Sequence, residues 1–516
     1  MHRRRLLIGW AVMAALAVLG GGALLALLAA GVESRGGPAG YIVDVAIFTL
    51  LQASLSAVLS VGFAVPLALA LASRPQFPGR RAMLRLFALP MALPVLVGVI
   101  GVLGIYGQAG LLNRLLQWGG AGSLPPVYGL GGILLAHVFY NLPLATLLLL
   151  ARLEETPPET WRIAASLGLG PRSVLRLIDL PALREVLPRV VSLVFMLAVA
   201  SFTIVLTLGG GPGATTLEVA IYQALRFDFD PGLAARLAML QVGLSVAMAV
   251  LAGRYAQVVP VEPGMGRGSL RPIATGFWGS AAIGLGGLFV SAPLAAILID
   301  GMTPSLIAVL GEASFFRALA TSLVVAALSS IVAVSAAYGL AVAGASQPSR
   351  LVDAAALAGL VLPPVVIAAG WFLLAHRLGV ASVSAPALVV LLNAMMAVPY
   401  AASVLLPAVR AAAERYDRLS ASLGISGMRR FWRIDLPLLL RPISLALGLA
   451  ALVSLGDLGV VAIFGGEGLT TLPLLLYQRL GSYRTEDAAA LALLLALLSL
   501  ALTWLLPRRS PEEAAP

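Results

Sequence analysis

Long apolar runs separated by short polar, arginine-bearing stretches dominate this 516-residue chain. A helix that crosses a bilayer needs about 20 mostly apolar residues. Twelve runs meet that length. The first six lie near 6–30, 46–72, 86–107, 130–151, 189–211 and 233–253. The second six lie near 274–299, 317–344, 354–376, 384–406, 442–465 and 487–506. None alternates apolar and polar residues as barrel strands do. Backbone groups in hydrocarbon must bond within their own segment, so each run is predicted to be a helix. The first run follows a basic start, Arg3-Arg4-Arg5, as a signal peptide does. From Leu6 to Ala30 it is too long for a signal core and is read as a retained span. The expected fold is therefore an all-α polytopic membrane protein of twelve transmembrane helices.

Composition agrees. Hydrophobic residues make up 60% of the chain and charged residues 11%, against roughly a quarter charged in a soluble domain. Every Lys/Arg position is Arg, so no phosphate loop of the Walker type, which needs a Lys, can form. Cys is absent, which excludes disulfides, thiolate catalysis and Cys-ligated metal. The three His (His2, His137, His376) are far apart in sequence and suggest no metal cluster. With the N-terminus placed in the cytoplasm, 26 of the 34 arginines fall on the cytoplasmic side. This asymmetry sets the predicted orientation, with both termini cytoplasmic. It also explains the net charge of +11 without nucleic acid.

The chain repeats itself. Residues 165–181 read ASLGLGPRSVLRLIDLP, and residues 421–437 read ASLGISGMRRFWRIDLP, an offset of 256. The offset holds from Pro143/Pro399 through Gly168/Gly424 and Pro181/Pro437 to Gly209/Gly465. It becomes 255 at Tyr222/Tyr477. Both copies fall on the arginine-rich side, so the duplication is parallel and predicts two pseudo-symmetric six-helix halves. The first spans 1–253, with its repeated loop at about 153–188. The second spans 274–516, with its loop at about 407–441. A Gly/Pro-rich cytoplasmic linker, 254–273, joins them.

In each loop, Ala-Ser-Leu-Gly closes a predicted short helix, with Gly168 or Gly424 supplying the left-handed stop. Ile-Asp-Leu-Pro follows, and Pro181 or Pro437 is expected to break the chain before the next span. The spacing Gly, nine residues, Ile-x-Leu-Pro resembles the coupling loop, or EAA motif, of ABC importer permeases of the type I fold. That resemblance implies docking of each loop on one of two copies of a cytoplasmic ATPase. ATP and Mg would be used by that partner, with no cofactor in this chain. The residues matched to the motif are Arg162, Ala164, Ala165, Ser166, Leu167, Gly168, Ile178, Leu180 and Pro181. In the second copy they are Arg418, Ser420, Ala421, Ser422, Leu423, Gly424, Ile434, Leu436 and Pro437. Arg162 and Arg418 stand where the family has Glu. This departs from its pattern but keeps a good helix former.

Further stretches resemble the fused two-half permeases of thiamine and thiamine pyrophosphate importers. They include YGLGGILLAHVFYNLP (128–143), ASFTIVLTLGGGPGATTLEVAIYQALRFDFDP (200–231) and LGDLGVVAIFGGEGLTTLPLLLYQRLGSYR (455–484). The resemblance implies an inner-membrane transport subunit without enzymatic residues, served by a periplasmic thiamine-binding protein. Fused iron(III) importer permeases share the architecture. An ion-coupled secondary transporter is the alternative of another class, for which midplane acids are few and the paired loops lack a purpose.

An ionisable group inside a span marks a functional position by default. Asp457 lies mid-span, and Ser201 is its counterpart. A carboxylate there suits a cationic thiazolium, or equally an interhelical hydrogen bond. Asn141 and Asn393 are weighed in the same way, with helix bonding the commoner role. Segments 209–232 and 465–486 each bear a Thr-Thr pair, a Tyr-Gln pair (Tyr222, Tyr477) and acids. They are expected to form an external gate or a landing surface for the binding protein.

Overall fold

The computed structural model describes residues 2–32, 39–120, 122–253, 277–347, 349–425, 427–465 and 469–505. The predicted linker, 254–273, lies outside these. The α-helices of the first half are α1 (His2–Val32), α2 (Ala39–Ala72), α3 (Arg80–Ala92), α4 (Val95–Tyr106), α5 (Leu111–Trp118), α6 (Leu130–Glu154), α7 (Pro158–Ser166), α8 (Pro171–Val174), α9 (Leu180–Val199), α10 (Phe202–Leu208), α11 (Leu217–Arg226) and α12 (Pro231–Gly253). Those of the second half are α13 (Phe277–Gly301), α14 (Ser305–Gly311), α15 (Ala313–Ser346), α16 (Arg350–Val361), α17 (Pro364–Arg377), α18 (Ala381–Ser422), α19 (Gly427–Arg430), α20 (Leu436–Leu455), α21 (Gly459–Phe464), α22 (Leu472–Gly481) and α23 (Thr485–Leu505).

Among the described residues, ten helical stretches are long and apolar enough to cross a membrane, and two bent pairs bring the number to twelve. The run expected as one span at 354–376 is bent by 84° between α16 and α17. Its counterpart breaks between α3 and α4. Both breaks fall at Leu-Pro, because the residue before a proline is driven out of the helical region. Leu93 (ψ 140°) and Leu362 (ψ 115°) are extended there.

Packing divides the chain into two compact units that differ from the two sequence halves. One unit comprises residues 39–219 and 247–305; the other comprises 1–38, 220–246 and 306–516. The first helix of each sequence half therefore packs among helices of the other half. In one unit, α1 lies on α15 and α17. Trp371 Nε1 donates to the Leu19 carbonyl at 2.8 Å. A Cβ on Gly370 would stand 2.3 Å from the Ala23 carbonyl oxygen. In the other unit, α13 lies on α4 and α2, and a Cβ on Gly101 would stand 2.5 Å from the Pro293 carbonyl oxygen. Lipid supplies no hydrophobic drive between helices, so close approach over small residues does the work.

Gly101→Ile should lower the thermal midpoint of the detergent-solubilised protein, since overpacking costs about 1–3 kcal/mol. Gly284→Ile, where a Cβ on α13 meets nothing within 4 Å, should leave it unchanged. Equal midpoints in a size-exclusion melting assay would show that the α4–α13 contact is not tight.

Candidate functional site: paired hairpins, broken spans and outer helices

Each compact unit carries one of two matching hairpins. In the first, α6 stops at Glu154, and Pro157 (ψ 143°) starts α7 afresh. In the second, Ala412, Ala413 and Glu414 replace Thr156, Pro157 and Pro158, and α18 runs unbroken to Ser422. Both hairpins then turn on a left-handed glycine, Gly168 (φ 61°) and Gly424 (φ 65°). The Leu169 N–H reaches back to the Ala164 carbonyl at 3.0 Å, and the Ile425 N–H to the Ser420 carbonyl at 2.9 Å. These bonds satisfy the ends of the two helices as a glycine stop does.

The prolines behave differently from expectation. Pro181 and Pro437 do not break the chain; each is the second residue of a helix, α9 or α20. A π-turn precedes each, Leu175–Asp179 and Phe431–Asp435, again 256 apart. Leu180 N–H bonds to the Leu175 carbonyl, and Leu436 N–H to the Phe431 carbonyl, five residues back. The wider turn makes room for a ring that would clash in an α-helix.

Arg162, Ala165, Ser166, Leu167 and Gly168 are exposed, while Ala164 is buried beside buried Trp161. Arg418, Ser422, Leu423 and Gly424 are exposed, and Ser420 is buried. Ala421 lies in the backbone of α18. Ile178, Leu180, Ile434 and Leu436 are half-buried, and Pro181 and Pro437 are exposed. The structure adds Ile163 and Leu419, equivalent and well exposed, one turn before Leu167 and Leu423. Four apolar side chains thus stand exposed at matched positions of the two hairpins. The signal was present in the sequence as an i, i+4 apolar pair opposite the buried face.

The hairpins are braced by different chemistry. Arg430, buried in the second, pairs with Asp417 at 2.5 Å and Asp435 at 3.2 Å. Tyr338 Oη donates to Asp435 at 3.3 Å. The equivalents of Asp417 and Arg430 in the first hairpin are Trp161 and Val174, both buried. At the end of α6, Glu154 binds Arg80 of α3. The equivalent Arg410 binds Asp353 of α16 at 3.1 Å, so the charges are exchanged.

Midway along each half a span breaks, after α9 at Ser201 and after α20 at Asp457. The first break bends the chain by 55°. His137 on α6 is held between Ser56 on α2 (Nδ1, 2.7 Å) and Ser201 (Nε2, 2.8 Å). Gln52 Nε2 donates to the Ala198 carbonyl beside the break at 2.8 Å. In the second half, Asn393 replaces His137 and donates to Ser454 at 3.1 Å. Ser454 also meets Ser329 of α15 at 2.8 Å. Asp457 Oδ1 accepts the Val460 N–H at 3.3 Å, and the N–H groups of Gly459 and Val461 point at the same carboxylate. Asp457 thus caps α21, while Ser201 is tied sideways to His137. Asn141 is buried one turn along α6 from His137.

The outer segments are pinned by hydroxyls. Thr49 of α2 accepts the Leu217 N–H at 3.0 Å, and Ser322 of α15 accepts the Leu472 N–H at 2.8 Å. These bonds hold the starts of α11 and α22. The repeated tyrosines come together. Burial, then the neighbouring Tyr222, pushes the Tyr477 phenol up to about 12. Burial raises Tyr222 too, against the Arg226 guanidinium. Arg226 Nη2 donates to the Gly465 carbonyl at 2.9 Å. Glu218, in the first turn of α11 between the spans, is fully buried, and burial lifts its carboxyl to about 8. Its counterpart, Pro473, has no charge. The acid Glu467 lies outside the described residues.

Residues 64–259 and 336–508 match the family described as binding-protein-dependent transport system inner membrane component. The chain is 45% identical to the thiamine transport system permease protein of Brucella abortus over 517 residues, covering 98% of this chain and 95% of that one. It is 41% identical to the protein of the same name from Salmonella typhimurium, covering 92% and 90%. It is also 41% identical to that of Escherichia coli K12, covering 89% and 87%.

Glu218 yields a signed pH dependence. Its folded pKa stands above that of an unfolded carboxyl, so the unfolded state loses its proton first. Stability should fall as pH rises from about 4.5 to about 8. Glu218→Gln should therefore melt higher than the native chain at alkaline pH and match it in mild acid. A constant difference across that window would mean that Glu218 is not buried as a neutral acid.

Proposed function

Because the chain belongs to the family of binding-protein-dependent transport system inner membrane components, we propose that it moves thiamine or its phosphates inward as the permease of an ATP-driven importer. It is an ABC transporter permease of the type I importer fold, a multi-pass inner-membrane protein and a transport subunit. The observation that carries the mechanism is the pair of glycine-stopped, π-turned hairpins at a fixed offset of 256. Each presents exposed apolar and arginine side chains on a braced, rigid projection. Two copies of a separate cytoplasmic ATPase would grip them, with ATP and Mg bound there. Arg162 and Arg418 give this surface a positive character, so complementary acids are expected on the ATPase.

Closure of the two ATPases would swing the hairpins and, through α9 and α20, the breaks at Ser201 and Asp457. The polar clusters at those breaks are suited to serve as hinges. Hydrogen bonds fix their ends, while the chain between is free of the α-helical ladder. The α11 and α22 segments, with Tyr222 against Tyr477, would form the outer gate facing a periplasmic binding protein. Both termini would be cytoplasmic, as the arginine distribution requires. Thiamine is favoured over iron(III) because the relatives that match almost end to end are named for thiamine transport.

Proteoliposomes holding this chain, its ATPase and the binding protein should take up labelled thiamine with ATP, and leave iron(III) outside. Joint replacement Gly168→Pro and Gly424→Pro should cut uptake at least tenfold, about 1.4 kcal/mol or more of lost coupling, while membrane insertion persists. Undiminished uptake in that double variant would end the coupling proposal. Iron(III) uptake in place of thiamine would end the substrate proposal.

A further inference from the structure

One recess lies within the unit of residues 39–219 and 247–305. The topology sets it at the end of its unit opposite the first hairpin. Tyr41, Asp44, Val45 and Phe48 form one wall, and Gly213 and Thr215 the other. Its volume is about 430 Å³, inside the range of roughly 300–1,000 Å³ usual for small-ligand sites.

The helical wall follows from spacing. Positions i, i+3, i+4 and i+7 share one face of α2. The facing wall is the glycine-rich turn after α10, where Gly210 and Gly211 (φ 73° and 141°) reverse the chain. Thr215 Oγ1 donates its proton to the Gly211 carbonyl at 3.0 Å, so towards a ligand it acts as an acceptor. Asp44 is acceptor-only when ionised. It is the sixth residue of α2, beyond the first turn in which the helix dipole would reward a carboxylate. Among the described residues it makes no hydrogen bond or ion pair. Asp44 is exposed at the wall of the recess, just before the apolar run of α2, and its carboxylate is open to a cationic ligand. Two aromatic side chains lining the same recess as an anion suit a flat cation.

We propose that this recess binds a planar organic cation, with its charge at Asp44 and its ring against Tyr41 and Phe48. The cation class follows from the recess. The choice of thiamine, whose thiazolium is such a ring, rests on the transport function proposed above. The site would then receive the substrate at the outer mouth, before the breaks are reached. An acceptor-rich wall disfavours phosphate, so unphosphorylated thiamine should bind better than its pyrophosphate.

The test uses the absence of cysteine from the chain. Gly213→Cys introduces a single thiol on the wall, where a Cβ meets nothing within 4 Å. The assembled complex, without binding protein, is labelled with an impermeant maleimide from outside. Thiamine and N-methylpyridinium should each slow labelling about fivefold or more, and thiamine pyrophosphate less. Asp44→Asn should abolish the protection, and Asp44→Glu should keep part of it, which controls for folding. Unchanged labelling with both cations, or full protection in Asp44→Asn, would overturn the site. Native uptake of thiamine without protection would remove the site and leave the transport proposal standing. Protection by N-methylpyridinium in a complex that does not transport thiamine would do the reverse.

Discussion

In hydrocarbon a backbone N–H or carbonyl without a partner costs several kcal/mol. A helix that stops inside the membrane must therefore find other partners for its freed backbone groups, and several stops in this protein are repaired by side chains. The repairs are specific. Asp457 receives the first N–H groups of α21, and His137 and Ser56 hold Ser201. Gln52 takes the Ala198 carbonyl. Thr49 and Ser322 take the first N–H groups of α11 and α22. Buried Thr49, Gln52 and Ser56 recur every three or four residues along α2, so one polar stripe takes part in the three first-half repairs. Without these bonds the spans would have to run straight.

The duplicated halves keep the geometry and change the chemistry. His137 and Asn393 both bridge helices, yet only the first has two ring nitrogens to reach both sides. The hairpin brace is ionic at Asp417–Arg430 and apolar at Trp161 and Val174. The tie to the preceding span is Glu154–Arg80 on one side and Arg410–Asp353 on the other. Backbone features survive unaltered: the left-handed glycine, the π-turn and the proline that follows it. What duplication preserved is the shape of the hairpin, and what diverged is the means of holding it.

This contrast explains what was legible in the sequence. Twelve spans and the two loops follow from hydropathy, arginine placement and the repeat, all local or periodic signals. The π-turns were not legible, because a proline after Ile-Asp-Leu suggests a break until the wider turn is seen. The exchange of α1 and α13 between packing units was equally hidden. It depends on Gly370 meeting Ala23 and Gly101 meeting Pro293, long-range contacts that no run of residues announces. The sequence placed Asp457 among possible pathway residues, but its capping of α21 appears only once the break is located. Tyr222 and Tyr477 were noticed as a repeated pair, and only the fold brings them together.

The central claim is that the two hairpins are equivalent handles for one kind of partner on one side of the membrane. In this cysteine-free chain, single replacements Leu167→Cys and Leu423→Cys put a thiol on each hairpin in turn. Cross-linking each to its ATPase in inverted membrane vesicles measures the claim directly. The account predicts that both positions cross-link, and that the double variant captures two ATPase copies per chain. Capture at only one hairpin, or a thiol reached solely from the periplasmic face, would contradict it.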